Sequence, residues 1–85
     1  EAHHSVFFVN EINWVALGGL EAPRECHVKI RSAQREAEAL AEPYEPGVIR
    51  VSLHTPNDGI SPGQSAVFYD GDIVLAGGVI LRINN

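Results

Sequence analysis

Few residues in this chain are able to do chemistry, and Cys26 is its one thiol. Cys26, Val28 and Ile30 alternate with polar neighbours, which is the period of a strand with one buried face. Cys26 therefore falls on the apolar face, where a free cysteine behaves as a small hydrophobic side chain rather than as a nucleophile. A single cysteine also excludes an internal disulfide, which fits a reducing cytoplasm.

The four histidines show no metal-binding spacing. His27 and His54 stand apart in the sequence, and neither forms a recognisable ligand pattern with Cys26. His3 and His4 are adjacent but terminal, and such a pair could be left from a purification tag. We therefore expect no metal site. We treat residues 1–4 as a tag remnant or disordered start and residues 5–85 as one domain.

Other catalytic groupings are also missing from the sequence. None of the five serines has the context of a nucleophile elbow, and Gly77 with Gly78 is no dinucleotide fingerprint because no helix follows. Glu36, Glu38 and Glu42 form a run of glutamates, which is typical of a solvated face rather than of an acid–base pair. We expect no catalytic residue and no cofactor in this chain, and no catalysis by the chain alone.

The basic residues are concentrated in one segment, residues 24–35, which we call the basic segment. The formal net charge of −5 argues against non-specific nucleic-acid binding by the whole surface. Strand alternation nevertheless places Lys29 and Arg31 together on a solvent face, about 6 to 7 Å apart, which is close to the phosphate spacing of a nucleic-acid strand. The segment is either a phosphate-binding stripe or a set of solvated charges on an exposed strand. It holds four of the six basic residues, namely Arg24, Lys29, Arg31 and Arg35, and one acid, Glu25.

Strand patterns cover most of the chain. Runs of β-branched and aromatic residues, or strict alternation between apolar and polar residues, are separated by glycine and proline and predict five strands. Pro46 and Gly47 predict a turn, and residues 54–64 predict a loop. The predicted strands are Ser5–Val15, with a bulge or break near Asn10, Cys26–Arg31, Val48–Leu53, Ser65–Tyr69 and Asp72–Ile83.

Two pairs of residues shape the last predicted hairpin. Asp70 and Gly71 predict a two-residue type I′ connection, because both central residues of that turn need positive φ. Gly77 and Gly78 interrupt the last strand and predict a bulge or sharp bend there. Such a bend is often what allows a small barrel to close.

The segment Ser32–Glu42 fits two kinds of structure. Its alanine, glutamate, glutamine and arginine content favours a helix that Pro43 would stop. A period of two also fits, with the three alanines at 37, 39 and 41 pointing inward, although Leu40 would then point outward. We favour the strand, because a small barrel would lose a ladder partner without it. The resulting set of about six short strands predicts an all-β fold, a small antiparallel β-barrel.

Three blocks of sequence carry a family resemblance. Residues 61–71 with 75–80 are similar to T-P-G-Q-x-x-V-F-Y-D/N-G…L-G-G-G-x-I. The run CHVKIRSAQ at 26–34 is similar to C-x-x-K-x-R-Y-R-Q, and residues 9–15 contain Asn13 and Trp14 of a V-N-W pattern. In these blocks the chain resembles the C-terminal domain of bacterial tRNA-specific 2-thiouridylases. That family is also called tRNA-uridine 2-sulfurtransferases and, in older naming, tRNA (5-methylaminomethyl-2-thiouridylate)-methyltransferases.

Three positions depart from the family pattern. Ser32 and Ala33 stand where the family usually has a tyrosine and a basic residue, and Ala76 replaces the first glycine of the triple glycine. The first two changes remove an aromatic ring and a charge from the segment expected to face RNA. The overall resemblance still implies a β-barrel similar to the second domain of translation elongation factors.

The resemblance implies a non-catalytic tRNA-binding and positioning domain of an ATP-dependent enzyme that 2-thiolates uridine 34. The family's S-G-G-x-D-S loop for ATP and its sulfur-carrying cysteines lie in an N-terminal catalytic domain, and neither occurs here. The expected partners are tRNA and the catalytic and central domains of the enzyme, with no DNA and no membrane. The implied RNA contacts are made by Lys29, Arg31 and Arg35, which neutralise phosphates, and by Gln34, which donates hydrogen bonds.

An alternative is a structural module of the same enzyme with no direct RNA contact. The barrel would then serve to pack against the catalytic and central domains. On this interpretation we expect Tyr69, Trp14 or Leu40 to be exposed and to form the interdomain contact.

Overall fold

Alternating apolar residues build six strands in the computed structural model, which describes residues 4–30, 36–57 and 59–84. No helix is present in these ranges, so the strand interpretation is confirmed for the described part of Ser32–Glu42. The remaining residues of that segment, 32–35, lie outside the described ranges. The strands are β1 (His4–Trp14), β2 (Arg24–Ile30), β3 (Ala37–Glu45), β4 (Val48–Asn57), β5 (Ser65–Asp70) and β6 (Ile73–Asn84).

The six strands form one closed antiparallel barrel. Around the barrel the order is β1, β4, β3, β2, β5, β6, and β6 pairs with β1 to complete the circle. The predicted small antiparallel β-barrel of about six strands is therefore confirmed. Closure satisfies the backbone hydrogen bonds that an edge strand would leave open.

The core lies inside the barrel and draws on every strand. The predicted alternation is confirmed in β2 and in the first half of β4, where Cys26, Val28 and Ile30 and their counterparts Ile49, Val51 and Leu53 are buried. Burying a side chain of valine or isoleucine size stabilises the fold by about 1.5 to 3 kcal/mol. The largest fully buried side chains are Phe7, Ile80, Val9, Val28 and Val51.

β4 is longer than the sequence predicted. We expected it to end at Leu53 and a loop to start at His54, but the strand continues to Asn57, which pairs with His4 of β1. The register between β1 and β4 shifts in this stretch, and Pro56 lies inside the irregularity. Proline has no N–H to donate, so it is tolerated where the ladder is already interrupted.

The β5–β6 hairpin turns one residue later than predicted. Asp70 pairs with Ile73, so the two loop residues are Gly71 and Asp72 rather than Asp70 and Gly71. Gly71 has a φ of +60°, whereas Asp72 does not adopt positive φ. A positive φ at only the first of the two loop residues is typical of a type II′ turn, in which that residue is glycine. The predicted type I′ turn is therefore wrong. Asp70 is thereby left as the last residue of β5.

The pairing of β1 with β6 is irregular at the positions where a bulge was predicted. The register shifts between Asn10 and Asn13, and Glu11 adopts a φ of +52°. Opposite this shift lies Gly78. A Cβ atom on Gly78 would lie 2.6 Å from Val9 Cγ1 and 2.7 Å from the carbonyl oxygen of Asn10. The break predicted near Asn10 is confirmed, and the extra residue of the bulge belongs to β1.

We predict that Gly78→Ala destabilises the barrel by about 1 to 3 kcal/mol, because the added methyl group overpacks the contact between β6 and β1. Gly77→Ala is the matched control, since its Cβ would approach nothing closer than the carbonyl oxygen of Ala66 at 3.7 Å. That variant should change the free energy of unfolding by less than about 1 kcal/mol. Urea denaturation measures both, and equal losses would contradict the close approach at Gly78.

Candidate nucleic-acid interface

The outward face of β2 carries the first of the predicted RNA-binding residues. Lys29 is exposed between buried Val28 and Ile30, as the alternation predicted, and its cross-strand partner on β5 is Val67. The side chain of Lys29 forms no ion pair or hydrogen bond with another described residue. Its ammonium group is therefore not compensated by a carboxylate of the described ranges.

The structure places only one of the four predicted contact residues. Arg31, Gln34 and Arg35 lie outside the described ranges, so their roles stay predictions. β2 ends at Ile30 and β3 begins at Ala37. Lys29 thus lies one residue before the end of β2, on the strand that leads directly into the segment of the other three.

Two other arginines are neutralised by carboxylates. Arg24 donates to Asp70 across 2.8 Å, and Arg50 donates to Glu42 across 2.9 Å. Arg24 lies two residues before buried Cys26 and therefore on the same face of β2. Its Nε is buried without a hydrogen-bond partner among the described residues. Arg24 belongs to the basic segment of the sequence, but its pairing with Asp70 removes it from the outward positive charge.

The start of β2 is acidic rather than basic on its outward side. Glu25 lies 2.7 Å from Nε2 of His54 on β4 and reaches it past Leu40 of β3. The hydrogen bond with Glu25 raises the pKa of His54. The protonated pair therefore stabilises the fold below the ordinary histidine pKa, and the contribution is lost as pH rises through the raised value. Positive charge on this face is thus confined to the Lys29 end.

A second outward cluster was not predicted from the sequence. The ring of Phe8 packs against that of Tyr44, with centroids 4.7 Å apart, and the guanidinium carbon of Arg82 lies 4.0 Å from the centroid of Phe8. Phe8 and Arg82 are cross-strand partners on β1 and β6. The contact depends on that register and on a strand distant in sequence, so no local pattern indicates it.

The comparison with known families decides the classification. Residues 4–80 match the family described as the aminomethyltransferase beta-barrel domain. The chain belongs to this domain family. The match covers all six strands, with β6 included as far as Ile80.

This aminomethyltransferase beta-barrel domain is similar to part of several tRNA-specific 2-thiouridylases MnmA. It is 42% identical to the Symbiobacterium thermophilum protein over 85 residues. These are all of the chain and 22% of that protein. It is 46% identical over 70 residues, 82% of the chain, to that of Acetivibrio thermocellus, of which it covers 20%. For Aeromonas salmonicida the identity is 41% over 71 residues, 84% of the chain and 19% of that protein.

The chain thus spans about a fifth of the length of the curated relatives it matches. The resemblance that the three sequence blocks indicated is confirmed.

The longest of these blocks has an architectural role in the domain. The backbone N–H of Gly63 donates to the carbonyl oxygen of Ile80, and the N–H of Ile80 donates to that of Gln64, each across 2.8 Å. The N–H of Ser61 donates to Oε1 of Gln64, also across 2.8 Å. Gly63 has a φ of +93°, which favours glycine. The S-P-G-Q loop therefore fastens the entry to β5 onto β6.

Two observations concern the residues of the domain that were considered for chemistry. Burial raises the pKa of the Cys26 thiol to about 11 despite the nearby Arg24. In ranges 4–30, 36–57 and 59–84, no group of three or more histidine, cysteine, aspartate or glutamate side chains could hold a metal ion. The same ranges contain no helix long and apolar enough to cross a membrane.

We predict that Cys26 in the folded domain resists alkylation. With a pKa of about 11, roughly a thousandth of the thiol is ionised at pH 8, and burial blocks the reagent as well. Iodoacetamide should modify the native chain at least about a hundred times more slowly than the chain unfolded in urea. Equal rates, followed by mass spectrometry, would show an accessible and reactive thiol instead.

Proposed function

We propose that this domain binds and positions tRNA, without catalysis of its own, in an ATP-dependent enzyme that 2-thiolates uridine 34. The observation that carries the proposal is the uncompensated, outward-facing Lys29 on the strand leading into residues 31–35. The names of the relatives support it, because each is a tRNA-specific 2-thiouridylase. The bacterial cytoplasm is the expected setting.

In this proposal the contacts are made to the RNA backbone. Lys29, Arg31 and Arg35 neutralise phosphates, and Gln34 donates hydrogen bonds to phosphate or sugar oxygens. Phosphate contacts set the position and orientation of a nucleic acid but do not read its sequence. Because the contacts are few, affinity should be weak and should fall steeply with salt.

The rest of the enzyme would supply the chemistry. ATP binding and sulfur transfer belong to the catalytic domain, which together with the central domain is the expected protein partner of the barrel. The burial of Cys26, which raises the pKa of its thiol and disfavours the thiolate, supports this division. Release of AMP from ATP by the chain alone in the presence of tRNA would contradict it.

The second candidate function is the structural module that packs against the other domains. A cavity of about 350 Å³ at one end of the barrel favours it, because its lining is largely apolar and includes Trp14, Leu20 and Pro43. The three residues we expected to be exposed in this role are each half-buried instead. They are Tyr69, Trp14 and Leu40.

We predict that Lys29→Gln weakens binding of unmodified tRNA and lowers the slope of log Kd against log salt by about one, because one phosphate contact is lost. Ala22→Glu on the exposed β1–β2 connection is the matched control. Both substitutions lower the net charge by one, so a general charge effect would be equal in the two variants. Fluorescence anisotropy over a salt series gives both slopes.

An unchanged slope in Lys29→Gln would remove Lys29 from the interface. A different pair of results would favour the structural module instead. The unsubstituted chain would fail to bind tRNA even at low salt, and it would form a stable complex with the remainder of a 2-thiouridylase added separately.

A further inference from the structure

The cluster of Phe8, Tyr44 and Arg82 has the geometry of a stacking site on the outer surface. Phe8 is absent from the hydrophobic core inside the barrel, and yet only 3% of it is exposed. Tyr44 and Arg82 both lie against it: the ring centroid of Tyr44 is 4.7 Å and the guanidinium carbon of Arg82 is 4.0 Å from the centroid of Phe8. Phe8 therefore lies beneath the ring of Tyr44, which is tilted by 54° to it, and beneath the guanidinium of Arg82.

Arg82 differs from the two ion-paired arginines of the described ranges. Arg24 is paired with Asp70 and Arg50 with Glu42, whereas Arg82 forms no ion pair with a described residue. It is instead held over Phe8, and its guanidinium carbon lies 5.8 Å from the ring centroid of Tyr44. Stacking on aromatic rings fixes the guanidinium without neutralising its charge. The result is a pre-positioned, exposed cation.

Tyr44 supplies an accessible aromatic surface next to this cation. It is 51% exposed, and it also borders the cavity of about 350 Å³ that Trp14 lines. Glu45 lies on the same lining, so a phosphate is expected at Arg82 rather than in the cavity. The carboxylate of Glu42 is already compensated by Arg50.

An exposed aromatic ring beside a fixed guanidinium is the combination that binds unpaired nucleotides. A base stacks on the ring, and the cation neutralises the neighbouring phosphate. A base-paired nucleotide is already stacked in its helix, so single-stranded segments are the preferred ligands of such surfaces.

We propose that Tyr44 and Arg82 form a stacking site for an unpaired nucleotide of RNA, distinct from the β2 face. The inference rests on the proposed function in taking tRNA as the source of that nucleotide. In the barrel order β1 and β2 are three strands apart in either direction. Phe8, at the centre of the cluster, is thus as far from β2 around the barrel as a strand can be, whereas Tyr44 lies on β3 and Arg82 on β6, one and two strands from β2. The cluster and Lys29 therefore form separate surfaces that contact different parts of one RNA.

The test compares a labelled single-stranded RNA of roughly eight nucleotides, within the range that small barrels accommodate, with a duplex of the same sequence. The chain should bind the single strand more tightly. Tyr44→Ala should weaken that binding by about 5- to 100-fold, the effect of losing one stacked base. Tyr44→Phe should retain it, and Arg82→Lys should weaken it because the ammonium group does not stack as the guanidinium does.

Ile73→Ala is the matched control, since it truncates another exposed apolar side chain, on the β5–β6 hairpin. Thermal unfolding of every variant is measured in parallel, because Tyr44→Ala uncovers Phe8. Tyr44→Phe keeps that cover and Arg82→Lys leaves the ring of Tyr44 in place, so these two variants test the site even if Tyr44→Ala is unstable. The emission of Trp14, the one tryptophan, should change when RNA binds beside Tyr44.

Two results would overturn the inference. One is equal affinity of the unsubstituted chain for single strand and duplex, and the other is unchanged single-strand affinity in folded Tyr44→Ala and Arg82→Lys. If tRNA binding still depended on Lys29 in those cases, the proposed function would survive and the cluster would be a structural or protein-contacting surface. If the unsubstituted chain bound neither tRNA nor the single-stranded RNA, both proposals would be wrong.

Discussion

The pairing of β1 with β6 closes the sheet, and the placement of every other residue follows from that closure. The two strands approach so tightly at Gly78 that a single methyl group there would lie 2.6 Å from Val9 Cγ1. β1 accommodates the approach with a register shift and a positive φ at Glu11. Once the ring of strands is complete, each strand has one inward and one outward face, and small inward residues such as Ala39 and Ala66 allow the larger side chains to fill the interior.

Apolar side chains fill the interior of the barrel. Among the described residues no polar or charged residue belongs to the buried set. The outward residues differ in how their charges are compensated. Ion pairs neutralise Arg24 and Arg50, whereas Lys29 and Arg82 remain available for an external anion. Lys29 lies on β2 and Arg82 on β6, with β5 between them, and two separate cations suit an RNA larger than the domain better than they suit a small ligand.

Patterns within single strands were predictable from the sequence, whereas features that depend on register were not. The alternation in β2 and β4 predicted the buried faces correctly, and the barrel was predictable from the number of strand-forming runs. β3 was ambiguous because its alanines and glutamates favour a helix, and only pairing with β2 and β4 overrides that local preference. The hairpin turn was misplaced by one residue, since Asp-Gly and Gly-Asp are both acceptable and the pairing of Asp70 with Ile73 decides between them. Register also creates the Arg24–Asp70 ion pair and the stack on Phe8.

We propose that this small closed barrel holds tRNA by its outer surface. The most direct measurement is a titration of the isotope-labelled chain with unmodified tRNA at low salt, followed by backbone amide chemical shifts. If tRNA binds there, we expect salt-sensitive shifts grouped around Lys29 at the end of β2 and around Phe8, Tyr44 and Arg82. No shifts at high micromolar tRNA, or shifts confined to the lining of the apolar cavity around Leu20, would contradict it.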